Sequence, residues 1–204
     1  MKLKLISFNM AVAVLVSACG AAGRPEMDSQ PAELPMEVMI ATPRASITSS
    51  RMDSLAKVAN VECKATDSGQ TSCTSGGLSV DLFDGCGSEG FFGAVSTDDG
   101  ITLKERPETD ARGVARIGGG QFLCIRALAR HEQNPEWYFV MAIPVATVAD
   151  CTGKELCRIY GDRSVAWVAR KSGKSCELKN DRYVGDCASG WVTAGSIEVF
   201  SEEI

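Results

Sequence analysis

The amino-acid sequence predicts an all-β fold: a small barrel or sandwich of short strands, stapled by disulfides and preceded by a short helix and a β-hairpin. Three observations carry this expectation. Short apolar or alternating stretches recur at close intervals, separated by turn residues such as Asp98-Asp99-Gly100 and Gly118-Gly119-Gly120. Helical periodicity fades beyond Asn60. Nine cysteines are present, eight of them after residue 60, a usage that belongs to an oxidising compartment.

The N-terminus agrees with export. Lys2 and Lys4 give a short positive start, and Leu5 to Val16 is apolar apart from Ser7 and Asn9. This run falls short of the ~20 apolar residues that span a bilayer and has the length of the apolar part of a signal peptide. It ends in Val16-Ser17-Ala18-Cys19-Gly20, which resembles the lipobox of bacterial lipoproteins: an aliphatic residue, two small ones, then cysteine. The resemblance implies a cleavable signal over residues 1–18 and a lipid anchor at Cys19, acylated on its sulfur and on the amine that cleavage frees. Two or more acyl chains make a stable anchor where one does not. It also implies a place in the bacterial cell envelope. Gly20, where an aspartate is absent, fits sorting to the outer membrane, facing the periplasm or the cell surface. Residues 19–49 then contain Pro25, Pro31, Pro35 and Pro43. Proline removes a backbone donor and disfavours helix in the residue before it, so this stretch is expected to be an extended tether.

Charge narrows the partners. The chain has a net charge of −5, and loss of Lys2 and Lys4 with the signal leaves 19 basic against 26 acidic residues, a net −7. That balance offers no basic footprint for nucleic acid. It gives no attraction to anionic lipid either, so the acyl chains are the expected link to the membrane. The residues beyond the signal fit one domain with appendages.

Within that domain the expected elements follow in order. Met52, Leu55 and Val58 are spaced by three and predict one face of a short helix over Ser50 to Asn60. Strands are expected at Leu78–Phe83, Phe91–Ser96, Ile101–Leu103, Phe122–Leu128, Trp137–Ile143, Val165–Arg170 and Trp191–Phe200. Residues 50–98 form an N-terminal cysteine-containing segment and 99–204 the barrel.

Setting Cys19 aside leaves Cys63, Cys73, Cys86, Cys124, Cys151, Cys157, Cys176 and Cys187, an even number that reads as four disulfides. Eight cysteines allow roughly a hundred connectivities, but local chemistry favours one. Cys63 and Cys73 flank the polar, turn-forming A-T-D-S-G-Q-T. Cys176 and Cys187 flank a hairpin with Asn180-Asp181 at its tip, and Cys151 and Cys157 close a short loop through Gly153. Cys86 and Cys124 remain as the fourth pair. No two cysteines stand two residues apart and His131 is the only histidine, so no metal and no other cofactor is expected.

Four blocks, in order, resemble the bacterial Src-homology-3 domain. Thr102 to Thr109, T-L-K-E-R-P-E-T, resembles its opening strand and turn through Leu103, Lys104, Pro107 and Thr109. Val114 to Arg126 resembles a strand, a glycine-bearing diverging turn at Gly120 and the next strand. Trp137-Tyr138-Phe139-Val140 resembles the tryptophan–tyrosine strand, and Gly190-Trp191-Val192 through Ile197 the closing strand. A rival register closes instead on Ala166-Trp167-Val168. The first register leaves residues 141–189 as a disulfide-stapled insertion. The resemblance implies a small Src-homology-3-like barrel that binds, with peptidoglycan or an envelope protein as partner. Exposed aromatic rings are the expected contacts, which makes Trp137, Tyr138, Tyr160, Trp167 and Trp191 the ligand-binding candidates. Trp137 and Trp191 are also natural core residues. The alternative is an accessory subunit of an envelope complex with no wall ligand.

No catalytic residues are expected. Ser54-Leu55-Ala56-Lys57 and Lys171-Ser172-Gly173 resemble two of the three motifs of penicillin-binding enzymes, which would make the chain a secreted hydrolase, but the middle motif is missing. His131 lies in a polar stretch, and oxidised cysteines supply no thiolate nucleophile. The folded, unreduced protein should therefore contain no titratable thiol once Cys19 is acylated. Finding two or more would overturn the disulfide framework.

Overall fold

The computed structural model describes residues 44–67, 70–86, 91–132, 134–151 and 153–200. The signal, Cys19 and residues 20–43 of the tether lie outside them. The described elements are α1 (Arg44–Val58), β1 (Glu62–Ala65), β2 (Thr71–Ser75), β3 (Leu78–Leu82), β4 (Phe91–Val95), β5 (Ile101–Lys104), β6 (Gly113–Ile117), β7 (Phe122–His131), β8 (Asn134–Ala142), α2 (Glu155–Ile159), β9 (Val165–Trp167), β10 (Glu177–Lys179), β11 (Arg182–Val184), β12 (Ser189–Thr193) and β13 (Ile197–Val199). The described residues are mostly antiparallel β-sheet with few helices, as the sequence predicts.

The strands join one large sheet ordered β1-β2-β3-β7-β8-β12-β5-β6-β9. β4 pairs with both β7 and the last strand, β13. The sheet is open: β1 and β9 are its ends. β10 and β11 form a separate hairpin. The expected Trp191–Phe200 strand is broken into β12 and β13 by a 3-10 turn at Ala194–Ser196. β9 is shorter than expected and pairs with β6 alone.

All four disulfides join the pairs the sequence favours. Cys63 faces Cys73 across β1 and β2. Cys151–Cys157 closes a short loop and Cys176–Cys187 the β10–β11 hairpin. Cys86–Cys124 spans 38 residues and ties the segment after β3 to the middle of the sheet. Closing loops of these lengths removes entropy from the unfolded chain, at about 2–4 kcal/mol each.

Apolar residues fill both faces of β7 and β8. The inner face carries Leu123, Ile125, Val140 and Ala142, packed with Leu103, Ile117 and Val192. On the outer face of β8, Trp137 and Phe139 pack beneath α1, and Met141 packs in a cluster with Phe122, Ile143, Val148 and Cys151. A β-bulge at Arg126 offsets the register, Ile125 facing Val140 but Ala127 facing Phe139. The extra residue moves Ala127 and Ala129 to the side of α1, although they share the odd parity of Leu123 and Ile125.

α1 differs from its sequence expectation. It begins at Arg44, inside the stretch expected to be tether, since no proline follows Pro43 until Pro107. Its buried line is Leu55, Ala56 and Ala59, with Met52 partly buried, whereas Val58 is 59% exposed. Spacings of three and four, not three alone, follow the 3.6-residue turn.

The helix end is well satisfied. Asn60 takes φ 54, a left-handed cap position that asparagine tolerates. The Val61 amide donates back to the Ala56 carbonyl at 2.8 Å. Ser75 Oγ donates to the Asn60 carbonyl at 2.9 Å. The Trp191 indole N–H donates to the Ala59 carbonyl at 2.7 Å, across 132 residues. Trp191 itself is fully buried and meets Phe139 edge-on, with ring centroids 5.5 Å apart. Beside it, Gly190 leaves room for β5: a Cβ there would lie 2.8 Å from the Lys104 carbonyl oxygen. Trp191→Phe keeps an aromatic ring but removes the donor from a buried carbonyl and leaves a smaller side chain at a fully buried position. It should lower unfolding stability by about 1–3 kcal/mol in urea titration; unchanged stability would contradict this account of the helix end.

Candidate ligand-binding site

The five aromatic candidates do not gather on one surface. Trp137 and Trp191 are buried under α1. Tyr138 is half-buried against the inner core, and burial pushes its hydroxyl pKa up. Tyr160 packs against Phe200 with tilted rings, centroids 5.4 Å apart, and donates to Glu198 Oε2 at 2.5 Å. That hydrogen bond, followed by desolvation, raises its pKa. Trp167 lies half-buried on β9 with Lys171 Nζ 4.3 Å from its ring centroid, a cation–π contact. Trp167 is thus the candidate tryptophan that keeps exposed ring surface.

The motifs with a catalytic resemblance have structural uses. Ser54 Oγ donates to the Ser50 carbonyl one turn back, at 2.9 Å, a common local use of a helical serine hydroxyl. Ser172 Oγ and the Gly173 amide both donate to the Asp186 carboxylate. His131 is exposed at the end of β7.

The best-built cavity lies elsewhere, on the outer face of β7 and β8 between α1 and the β10–β11 hairpin. Its volume is about 350 Å³, within the range of small-ligand sites. Four segments remote in sequence form it. α1 gives Ser50, Arg51, Ser54, Leu55 and Val58; the stretch after β3 gives Asp84, Gly85 and Cys86; β7 and β8 give Arg126, Phe139 and Met141; the β10–β11 hairpin gives Asp181, Arg182 and Tyr183. A larger hollow of about 540 Å³ is lined by residues of the single stretch 145–158, and lacks this long-range assembly.

The polar groups of the cavity are arranged around Arg126. Its Nε donates to the Phe83 carbonyl at 3.2 Å and its Nη2 to the Asp84 carbonyl at 3.0 Å. Desolvation lowers its pKa, with Asp84 opposing the shift. Arg51 Nη1 stands 3.7 Å from Asp84 Oδ2. Tyr183 is hydrogen-bonded to Thr147 Oγ1 at 2.9 Å, and burial raises its pKa. The floor is apolar, from Leu55, Phe139 and Met141. Cys86–Cys124 fixes one wall to the sheet.

None of Arg51, Asp84, Arg126 or Tyr183 stood out in the sequence as a binding residue. One signal was present: Arg126 is a charge inside the otherwise apolar F-L-C-I-R-A-L-A strand. A cation in such a run needs local partners, and here the bulge turns it toward two backbone carbonyls. Comparison with family models, curated proteins and solved structures found no match to the chain. The site therefore stands on its own geometry.

Tyr138, Tyr160 and Tyr183 all have pKa values raised above 10.0 in the folded state. A raised folded pKa contributes stability that is complete below the unfolded value and is lost as pH rises through the folded value. Unfolding free energy should accordingly fall with pH above about 10. Tyr183→Phe should flatten that slope; an unchanged slope would show that Tyr183 ionises alike in both states.

Proposed function

We propose that this chain is an exported lipoprotein, anchored through Cys19 in the bacterial cell envelope, whose Src-homology-3-like barrel binds an envelope ligand and does not catalyse a reaction. Peptidoglycan is the leading partner. The observation that carries the binding reading is the cavity on the outer face of β7 and β8. It combines an apolar floor with convergent charged groups, the composition of a ligand site, and two disulfide-closed segments, Cys86–Cys124 and Cys176–Cys187, border it.

Support for the barrel reading comes from strand pairing. The four blocks of resemblance fall on β5, on β6 and β7, on β8, and on β12 and β13. β12 pairs with both β8 and β5, and β13 with β4, which brings the end of the chain back beside its earlier strands. Trp167, on β9, pairs only with Ala115 of β6, which favours Gly190–Ile197 as the closing segment over the rival register. Residues 141–189 then constitute the insertion, most of it between β8 and β12.

A second reading, an accessory subunit of an envelope complex, is favoured by β9. It ends the sheet and carries Trp167 beside Val168, which is 66% exposed. Such an edge is open to pairing with another chain.

The test is parallel cosedimentation of the exported, oxidised protein with purified sacculi and with detergent-solubilised envelope. Wall binding predicts enrichment on sacculi. Absence of enrichment, with one protein partner at fixed stoichiometry, would overturn the wall reading in favour of the subunit reading.

A further inference from the structure

The cavity described above holds two orphaned polar atoms. Arg51 Nε and Asp84 Oδ1 are both shielded from water and neither has a hydrogen-bond partner. Buried polar groups are paired in the great majority of cases, so two in one cavity are unusual. They are also complementary in kind: one donor and one acceptor. The ion pair they belong to is loose, its atoms 3.7 Å apart.

The charges lining the cavity set the sign of the ligand. Arg51, Arg126 and Arg182 come from three different elements, against Asp84 and Asp181. The excess is one positive charge, in a chain whose net charge is −5. A monoanion balances it. Arginine's planar fork matches a carboxylate through two parallel hydrogen bonds. Arg51 is a third exposed on its side chain (34%), so it can swing toward the opening on the timescale of rotamer exchange. That movement breaks the loose pair and frees Asp84 to accept from the ligand.

A ligand that satisfies both atoms carries a carboxylate and, close to it, an N–H donor. An apolar group on the same unit would rest on Leu55, Phe139 and Met141. The C-terminal residue of a peptide has all three: its α-carboxylate, its own amide N–H and a small apolar side chain. We propose that this cavity binds the free C-terminal residue of a peptide, with Arg51 and Arg182 on the carboxylate and Asp84 accepting from the terminal amide. This rests on the binding-module reading and names the ligand class of that site.

The experiment titrates the exported, oxidised protein with Nα-acetyl-dialanine, with its C-terminal amide and with acetate, followed by calorimetry and by the arginine Nε–H resonances. The acid should saturate and move the Arg51 resonance. The amide should bind at least about tenfold more weakly, since it loses a charge-assisted hydrogen bond, and acetate should also be weaker than the acid. Arg182→Gln, at an exposed position, should weaken the acid. Asp181→Asn should strengthen it by removing a repelling carboxylate, and asparagine tolerates the φ of 58 at that turn. Equal binding of acid and amide, or of acid and acetate, overturns the proposal. So does a change in the same direction for Arg182→Gln and Asp181→Asn, which would mean general damage. Sacculus binding without peptide saturation overturns this ligand class but leaves the binding module standing. Peptide saturation without sacculus binding overturns only the wall reading.

Discussion

The hydrogen bond from the Trp191 indole to the Ala59 carbonyl is the constraint on which the architecture turns. It joins the residue that follows α1 to strand β12. A helix terminus leaves carbonyls without intrahelical partners, and burying them unpaired is costly. Here the Ala59 carbonyl is answered by the indole, Ala56 by the Val61 amide and Asn60 by the Ser75 hydroxyl. With its end satisfied, α1 can lie buried on the sheet through Leu55, Ala56 and Ala59. Trp191 in turn is held by strand pairing on both sides, to Phe139 and to Lys104.

This docking makes a sheet with two buried faces. The inner face packs into one core, and the outer face is covered by α1 and by residues 143–160 after β8. The two covers leave a gap over Phe139 and Met141, and the cavity lies in that gap. Its position follows from the fold: α1 supplies one wall because Trp191 holds it, and the stretch after β3 supplies another because Cys86 is bonded to Cys124. Arg126 enters because the bulge adds a residue to β7 at that point.

Much of the framework was legible in the sequence, because local chemistry determined it. Cys63–Cys73 and Cys176–Cys187 bracket turn residues, and Asn180 and Asp181 indeed take positive φ at the hairpin tip. Strands such as Leu78–Leu82 and Phe122–His131 announced themselves by apolar runs and turn boundaries. The face of α1 was less legible. A spacing of three marked Val58 as buried, but the packed line runs through Ala56 and Ala59, whose small side chains give a weak apolar signal. The site was the least legible part. Trp191 reads in the sequence both as a ligand candidate and as a natural core residue, because a strand on a two-covered sheet gives no sign of which cover its tryptophan will meet. Arg51, Asp84 and Arg126 are distant in sequence, and only the long-range packing of β3, β7 and α1 brings them to one cavity.

Amide hydrogen exchange of the folded, oxidised protein tests the central claim most directly. If Trp191 locks α1 into the core, the Ala59 and Val61 amides, bonded to Leu55 and Ala56, should exchange as slowly as those of Phe139 and Val192 in the central strands. Exchange of Ala59 and Val61 at the rate of the exposed Glu177–Lys179 strand would show that the helix end opens independently, and would contradict the account.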